Sequence, residues 1–139
     1  MSLYTFADTT RQTINKFRFA SARAKNPQAL ILKIAKTDQV ISIDPFDDDT
    51  LIISSIDDLR ETLPENAPRL VLLSYPHVLP DGRLTAPYVM LYFRPPTASQ
   101  TLLMSYAGAV ELIRNESNVS RVIEFEDEDD LDDIEALLF

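Results

Sequence analysis

The stretch TLLMSYAGAVELIR, residues 101–114, decides how the chain is read. No proline interrupts it, and its apolar residues recur at three- and four-residue spacing, the period of an amphipathic helix. With residues about 100° apart around the axis, Leu102, Leu103, Tyr106, Ala109, Val110 and Ile113 share one arc, a core stripe. The opposite arc of a surface helix should be charged. Here it carries Thr101, Met104, Gly108 and Glu111, with Ser105 and Ala107 at its edges. A methionine, a helix-weakening glycine and a single charge leave that face apolar or small. Either a partner covers it, or a neighbouring loop or the acidic tail of the chain does.

Working outward from this helix, whose span is about 98–116, the preceding RPPTAS is a stiff connector. LTAPYVMLYF (84–93) and PRLVLLSYPHV (68–78) are two strands, the second apolar enough to be buried on both faces. LPDGR (79–83) turns between them, Asp-Gly being a strong hairpin signal, and Pro87 calls for a bulge or an unpaired position. SSIDDLRETLP (54–64) is a short helix with Ser55 and Asp58 as a loose capping box. ALILKIAK (29–36) and QVISID (39–44) form a hairpin across Thr37-Asp38. DTTRQTINKFR (8–18) is a first helix, capped by Thr9 or Thr10, with Ile14 and Phe17 inward and Phe19 continuing the apolar contact past its end. After the long helix, SRVIE (120–124) is a last strand, and Leu131, Ile134 and Leu138 mark a closing helix over about 127–139. The order α-β-β-α-β-β-α-β-α defines an α/β (α+β) domain. It implies a central mixed sheet of roughly five to six strands flanked by helices on both faces. The whole of 1–139 reads as one domain with a flexible start, about 1–7.

Composition narrows the function. The 139 residues carry a net charge of −9 and no cysteine, which excludes disulfides and thiolate sites. Nine of the 22 acids fall between Glu124 and Glu135 with no base among them, while residues 1–123 are neutral. Such a chain, without an Arg/Lys block, is a poor nucleic-acid binder. No apolar run approaches the roughly 20 residues of a membrane helix, and MSLYTFADTT lacks the form of a signal peptide. We therefore expect no nucleic acid and no membrane as partners. Gly82 and Gly108 are the only glycines, too few for a phosphate-cradling loop. The lone histidine, His77, leaves no nucleophile-and-base pair. The Asp47–Asp49 run lacks the spacing of a calcium loop. The reading is a binding protein, not an enzyme, with no metal and no cofactor. The best candidates for the opposite view are that aspartate run and His77.

Several stretches together carry a resemblance. KFRF (16–19), LPENAPR (63–69), SY (74–75), DGR (81–83) and YAG (106–108) occur in the order and spacing of glia maturation factor, a branch of the actin-depolymerising factor/cofilin homology family. The resemblance runs from about Asp8 to Glu124. It implies a cofilin-like domain and an activity on branched actin: binding the actin-related protein 2/3 complex, inhibiting nucleation and promoting debranching. It also implies that the long helix enters the groove between subdomains of an actin-like protein, so that Thr101, Met104, Ser105, Gly108 and Glu111 contact the partner. Met104 would be the flexible anchor, and Gly108 would allow close backbone approach. Ser2, Leu3 and Tyr4 would lie beside that helix and contribute, with phosphorylation at Ser2 weakening the contact. The Asp81-Gly82-Arg83 turn, with Lys16, Arg18 and Arg23 as further basic candidates, would form a second surface toward the first actin subunit of the daughter filament.

One departure bears on the branch. Cofilins carry lysines just before the methionine of this helix, where this chain has Thr101 and Leu103. Fewer cations weaken attraction to acidic actin. The nearest rival reading is a cofilin-type actin binder that severs filaments or sequesters monomers. The family reading carries with it a monomer in the cytoplasm at cortical actin structures, with the nucleus as a further location. The acidic tail is read as a docked helix rather than an imitation of the acidic tails of activators, since it lacks their tryptophan.

Overall fold

The computed structural model describes residues 3–47 and 49–139. Along the chain come β1 (Thr5–Phe6), α1 (Thr10–Ser21), β2 (Gln28–Ile34), β3 (Val40–Ile43), β4 (Ile52–Ile53), α2 (Ile56–Thr62) and β5 (Arg69–Ser74). Then follow β6 (His77–Val78), β7 (Leu84–Thr85), β8 (Tyr88–Phe93), α3 (Gln100–Ser117), β9 (Val122–Phe125), a 3₁₀ helix (Glu128–Asp133) and α4 (Ile134–Leu138).

The strands β1-β3-β2-β5-β8-β9 lie side by side in that order, with β4 also paired to β2. β2, β5 and β8 run antiparallel, setting Leu30 beside Leu72 and Leu72 beside Met90. β9 is parallel to β8, with Leu91 beside Ile123. Parallel neighbours need a crossover, and α3 is that crossover. The mixed, helix-flanked sheet expected from the sequence is thus the fold found.

Alternation along the central strands builds two cores. Leu30, Leu32, Leu70, Leu72, Met90 and Tyr92 face Ile14 and Phe17 of α1 and Tyr106, Ala109 and Ile113 of α3. Ala29, Ile31, Val71, Leu73, Val89 and Leu91 face Leu59 of α2 and Leu131, Ile134 and Leu138 near the C-terminus. Burial on both faces is why β5 reads as an unbroken apolar run. Tyr106 pins α3 to the sheet: its hydroxyl accepts from the Ile34 N–H at 3.0 Å and from Arg69 at 3.3 Å. Among the described residues, no helix is long and apolar enough to cross a membrane.

Several elements differ from the sequence reading. The start of the chain, read as flexible through residue 7, includes β1, whose Thr5 and Phe6 pair in parallel with Val40 and Ile41. α1 runs on to Ser21, so Phe19 lies within it and is 65% exposed rather than continuing the core. Thr9 precedes α1 at φ 70° and makes no side-chain cap; its carbonyl accepts from the Thr13 backbone and hydroxyl instead. Ser55 does cap α2, accepting from the Asp58 N–H at 3.0 Å. The long strands expected on either side of the Asp-Gly turn are each broken by proline, which cannot donate to a ladder. Pro76 and Pro87 therefore separate β5 and β8 from a small independent β6–β7 ladder. Gly82 sits at its tip with φ +89°, a conformation that favours glycine. The acidic tail begins as a 3₁₀ helix and turns α-helical only at Ile134.

Candidate partner-binding face

α3 starts where Ser99 accepts from the Leu102 N–H at 3.2 Å and ends at Asn118, in the left-handed conformation at φ 63°. Tyr106, Ala109, Ile113 and Ser117 are buried beneath it. On the far side Thr101, Met104, Ala107, Gly108 and Glu111 are exposed, Met104 by 66%. Neither the acidic tail nor the 3₁₀ helix packs here; both lie on the opposite face of the sheet. Glu111 pairs with Arg114 at 3.6 Å, one turn along the same helix, which leaves the outer face close to neutral.

The N-terminal segment is seated on this face. The Tyr4 hydroxyl donates to the Ser105 carbonyl at 2.7 Å. A carbonyl oxygen has two lone pairs, so a helical one can accept a second donor. A Cβ at Gly108 would run into that same Tyr4 hydroxyl. Ser105 turns its own hydroxyl to Gln39, donating to the Oε1 at 2.6 Å. Gln39 lies between β2 and β3 at φ 57°. Leu3, adjacent to Tyr4, is 82% exposed.

Two of the residues expected to meet a partner also have contacts within the chain. The close approach that Gly108 permits is taken by Tyr4 of the same chain, and the Ser105 hydroxyl is engaged by Gln39. Tyr4, Thr101, Met104, Ser105, Gly108 and Glu111 lie on one side of the molecule, and Leu3, next to Tyr4 in the chain, is exposed. Ser2 lies outside the described residues. Gln39 was missed, and its signal was faint: a polar residue between two strands says nothing of a helix 66 positions away.

Of the residues assigned to a second surface, Arg18 and Arg23 line neighbouring hollows at the base of the β6–β7 arm whose turn carries Asp81 and Arg83. Asp81 accepts from the Arg83 backbone N–H at 3.1 Å and pairs with its guanidinium at 2.7 Å, so the turn neutralises its own cation. Lys16 and Arg18 are two residues apart in α1 and point in roughly opposite directions, about 160° apart. Arg18 lies over Phe19, 5.4 Å from the ring centroid, and beside Tyr88. Arg23 is exposed in the loop after α1. His77 faces the C-terminus, its ring 4.7 Å from that of Phe139 and its Nδ1 3.5 Å from Glu135.

A helix-flanked mixed sheet with an exposed, neutral, partly apolar crossover helix defines a class. The chain belongs to the cofilin/tropomyosin-type actin-binding protein family, whose sequence model matches residues 4–137. Within it, the chain is similar to protein AIM7 of Saccharomyces cerevisiae, 38% identical over 144 residues that cover 99% of this chain and 97% of that one. It is similar to glia maturation factor of Drosophila melanogaster, 34% identical over 86% of this chain and 83% of the relative. Its fold matches the solution structure of glia maturation factor from Caenorhabditis elegans with a TM-score of 0.78 and 31% identity, over 98% of this chain and 96% of that one. The glia maturation factor resemblance carried by the five motifs is therefore shown.

Proposed function

We propose that this protein regulates branched actin by binding the actin-related protein 2/3 complex through the outer face of α3, inhibiting nucleation and dissociating branches. The observation that carries this reading is Met104, two-thirds exposed on a helix face whose one acidic group is already paired. Removing such a face from water is favourable, and an amphipathic helix laid into an apolar groove is a recurrent mode of recognition. The exposed Leu3 extends the apolar contact. Methionine suits the anchor position because its flexible thioether adapts to an irregular pocket. The 81–83 turn faces the first actin of the daughter filament, so that one surface holds the complex while the other disturbs the branch contact. No bond is made or broken by the protein. It works as a monomer in the cytoplasm, at cortical actin structures.

The test is competitive. Purified complex, filamentous actin and monomeric actin are offered to the protein in separate binding experiments, followed by an assembly assay with activated complex. Preferential binding to the complex with slowed nucleation is expected. Preferential binding to filaments or monomers would instead make it a cofilin-type actin binder.

A further inference from the structure

The chain has no cysteine and three methionines, so every sulfur atom it carries is a thioether. Met1 lies outside the described residues. The other two sit in opposite surroundings. Met90 is fully buried in β8, beside Leu72 of β5 and Val122 of β9. Met104 is 66% exposed on the outer face of α3. Residues three and four positions away are the neighbours of a helical side chain. For Met104 these are Gln100, Thr101, Ala107 and Gly108, all exposed. With two-thirds of the residue in water, a small solute reaches its sulfur, whereas Met90 is reached only if the sheet opens.

An exposed thioether is open to oxidation by a peroxide. The sulfur lone pair forms a bond to one peroxide oxygen and the O–O bond breaks. The departing oxygen takes up a proton and leaves as water or an alcohol. Sulfur is oxidised, the peroxide is reduced, and the product is methionine sulfoxide. That change turns a flexible apolar side chain into a polar one with a strong hydrogen-bond acceptor. At position 104 the acceptor stands on a face of small and apolar groups, where Arg114, one cation of the same helix, is already paired with Glu111. Burying it in an apolar groove without a donor is unfavourable. The core is untouched by the reaction, because Met90 is out of reach.

We propose that Met104 is a reversible oxidation site: a peroxide converts its thioether to the sulfoxide and thereby releases α3 from its partner, and enzymatic reduction of the sulfoxide restores the contact. The inference rests on the reading of α3 as the partner-binding face. Leucine or isoleucine at this position would offer a comparable apolar surface and would not respond to an oxidant. Methionine makes the same surface responsive, and in a chain without cysteine no thiol competes for the oxidant.

The experiment exposes the full chain to dilute hydrogen peroxide, removes the oxidant, and maps sulfoxide at each methionine by mass spectrometry of its peptides. Met104 should convert roughly tenfold faster than Met90 or more, since burial shields the latter. Binding to the purified actin-related protein 2/3 complex and to monomeric actin is measured before oxidation, after it, and after treatment with reductases for both sulfoxide epimers. Affinity should fall on the order of tenfold or more on oxidation, as burying an unpaired polar group does, and return on reduction. Met104→Leu, whatever its starting affinity, should bind equally before and after peroxide, which separates Met104 from Met1. Oxidation of Met104 no faster than of Met90, undiminished binding by the sulfoxide form, or a loss of binding that persists in Met104→Leu would each overturn the proposal. Reduced wild type that binds actin and not the complex would fail the function reading alone, and the loss on oxidation is then read on actin. Binding to neither would overturn both.

Discussion

Tyr4 and Gly108 fit one another: the tyrosine hydroxyl occupies the space that any side chain at 108 would need, and it donates to the Ser105 carbonyl one turn away. The glycine weakens α3 by about 1 kcal/mol relative to alanine. What it supports is the seating of the N-terminal segment against the helix. Gly108→Ala should therefore leave global stability nearly unchanged, the helix gain offsetting the displaced contact. Amide exchange should speed up selectively at Thr5 and Ala7, whose N–H groups donate to Gln39 and Ile41. Unchanged exchange at both amides would show that Tyr4 does not need the glycine.

A large cavity on the opposite face of the sheet should be costly. Leu131 is fully buried among residues of α2, the sheet and α4. Leu131→Ala is expected to lose about 2–5 kcal/mol, the range for a buried leucine. By contrast Arg60→Ala, which removes exposed pairs to Asp129 and Asp132, should shift the midpoint far less. Chemical denaturation of the two variants side by side checks the ranking. A comparable loss for both would mean that charge rather than apolar burial docks the acidic tail.

Alkaline stability should fall in a defined window. Burial pushes the Tyr88 phenol up to about 12 from an ordinary 10.0, with the nearby Arg18 charge opposing it. Burial also raises Tyr75 and Tyr92. A raised folded-state value favours the neutral phenol, so the stabilisation is complete below pH 10 and is lost as pH rises toward 12. Tyr88→Phe should remove the highest-titrating phenol from an ultraviolet titration. It should not weaken the fold at pH 7, because the hydroxyl lost has no partner among the described residues. A marked loss at neutral pH would show that the hydroxyl is satisfied in solution.

The fold was largely legible because its signals are local. The apolar run of β5, the Ser55 cap and the three-four spacing of α3 each sit within a few consecutive residues. What escaped is long-range. Thr5 and Phe6 are strand only because Val40 and Ile41 lie beside them, and two residues show no periodicity. β4 is equally short and is defined by its pairing with Ala29 and Leu30. The same divide runs through the candidate site. The outward position of Met104 follows from helical geometry. The use of Gly108 by Tyr4 depends on a contact across 101 residues, from Tyr4 to Ser105, and no spacing rule reaches that far.

The most direct measurement is single-filament imaging of branch lifetime with purified complex, actin and this protein, wild type beside Met104→Asp. Position 104 is exposed, so the substitution should leave the fold intact, within about 0.5 kcal/mol. Wild type should shorten branch life and spare unbranched filaments, and the variant should do neither. Equal debranching by a folded Met104→Asp variant, or severing of unbranched filaments by wild type, would contradict the proposal that the outer face of α3 works on the branch.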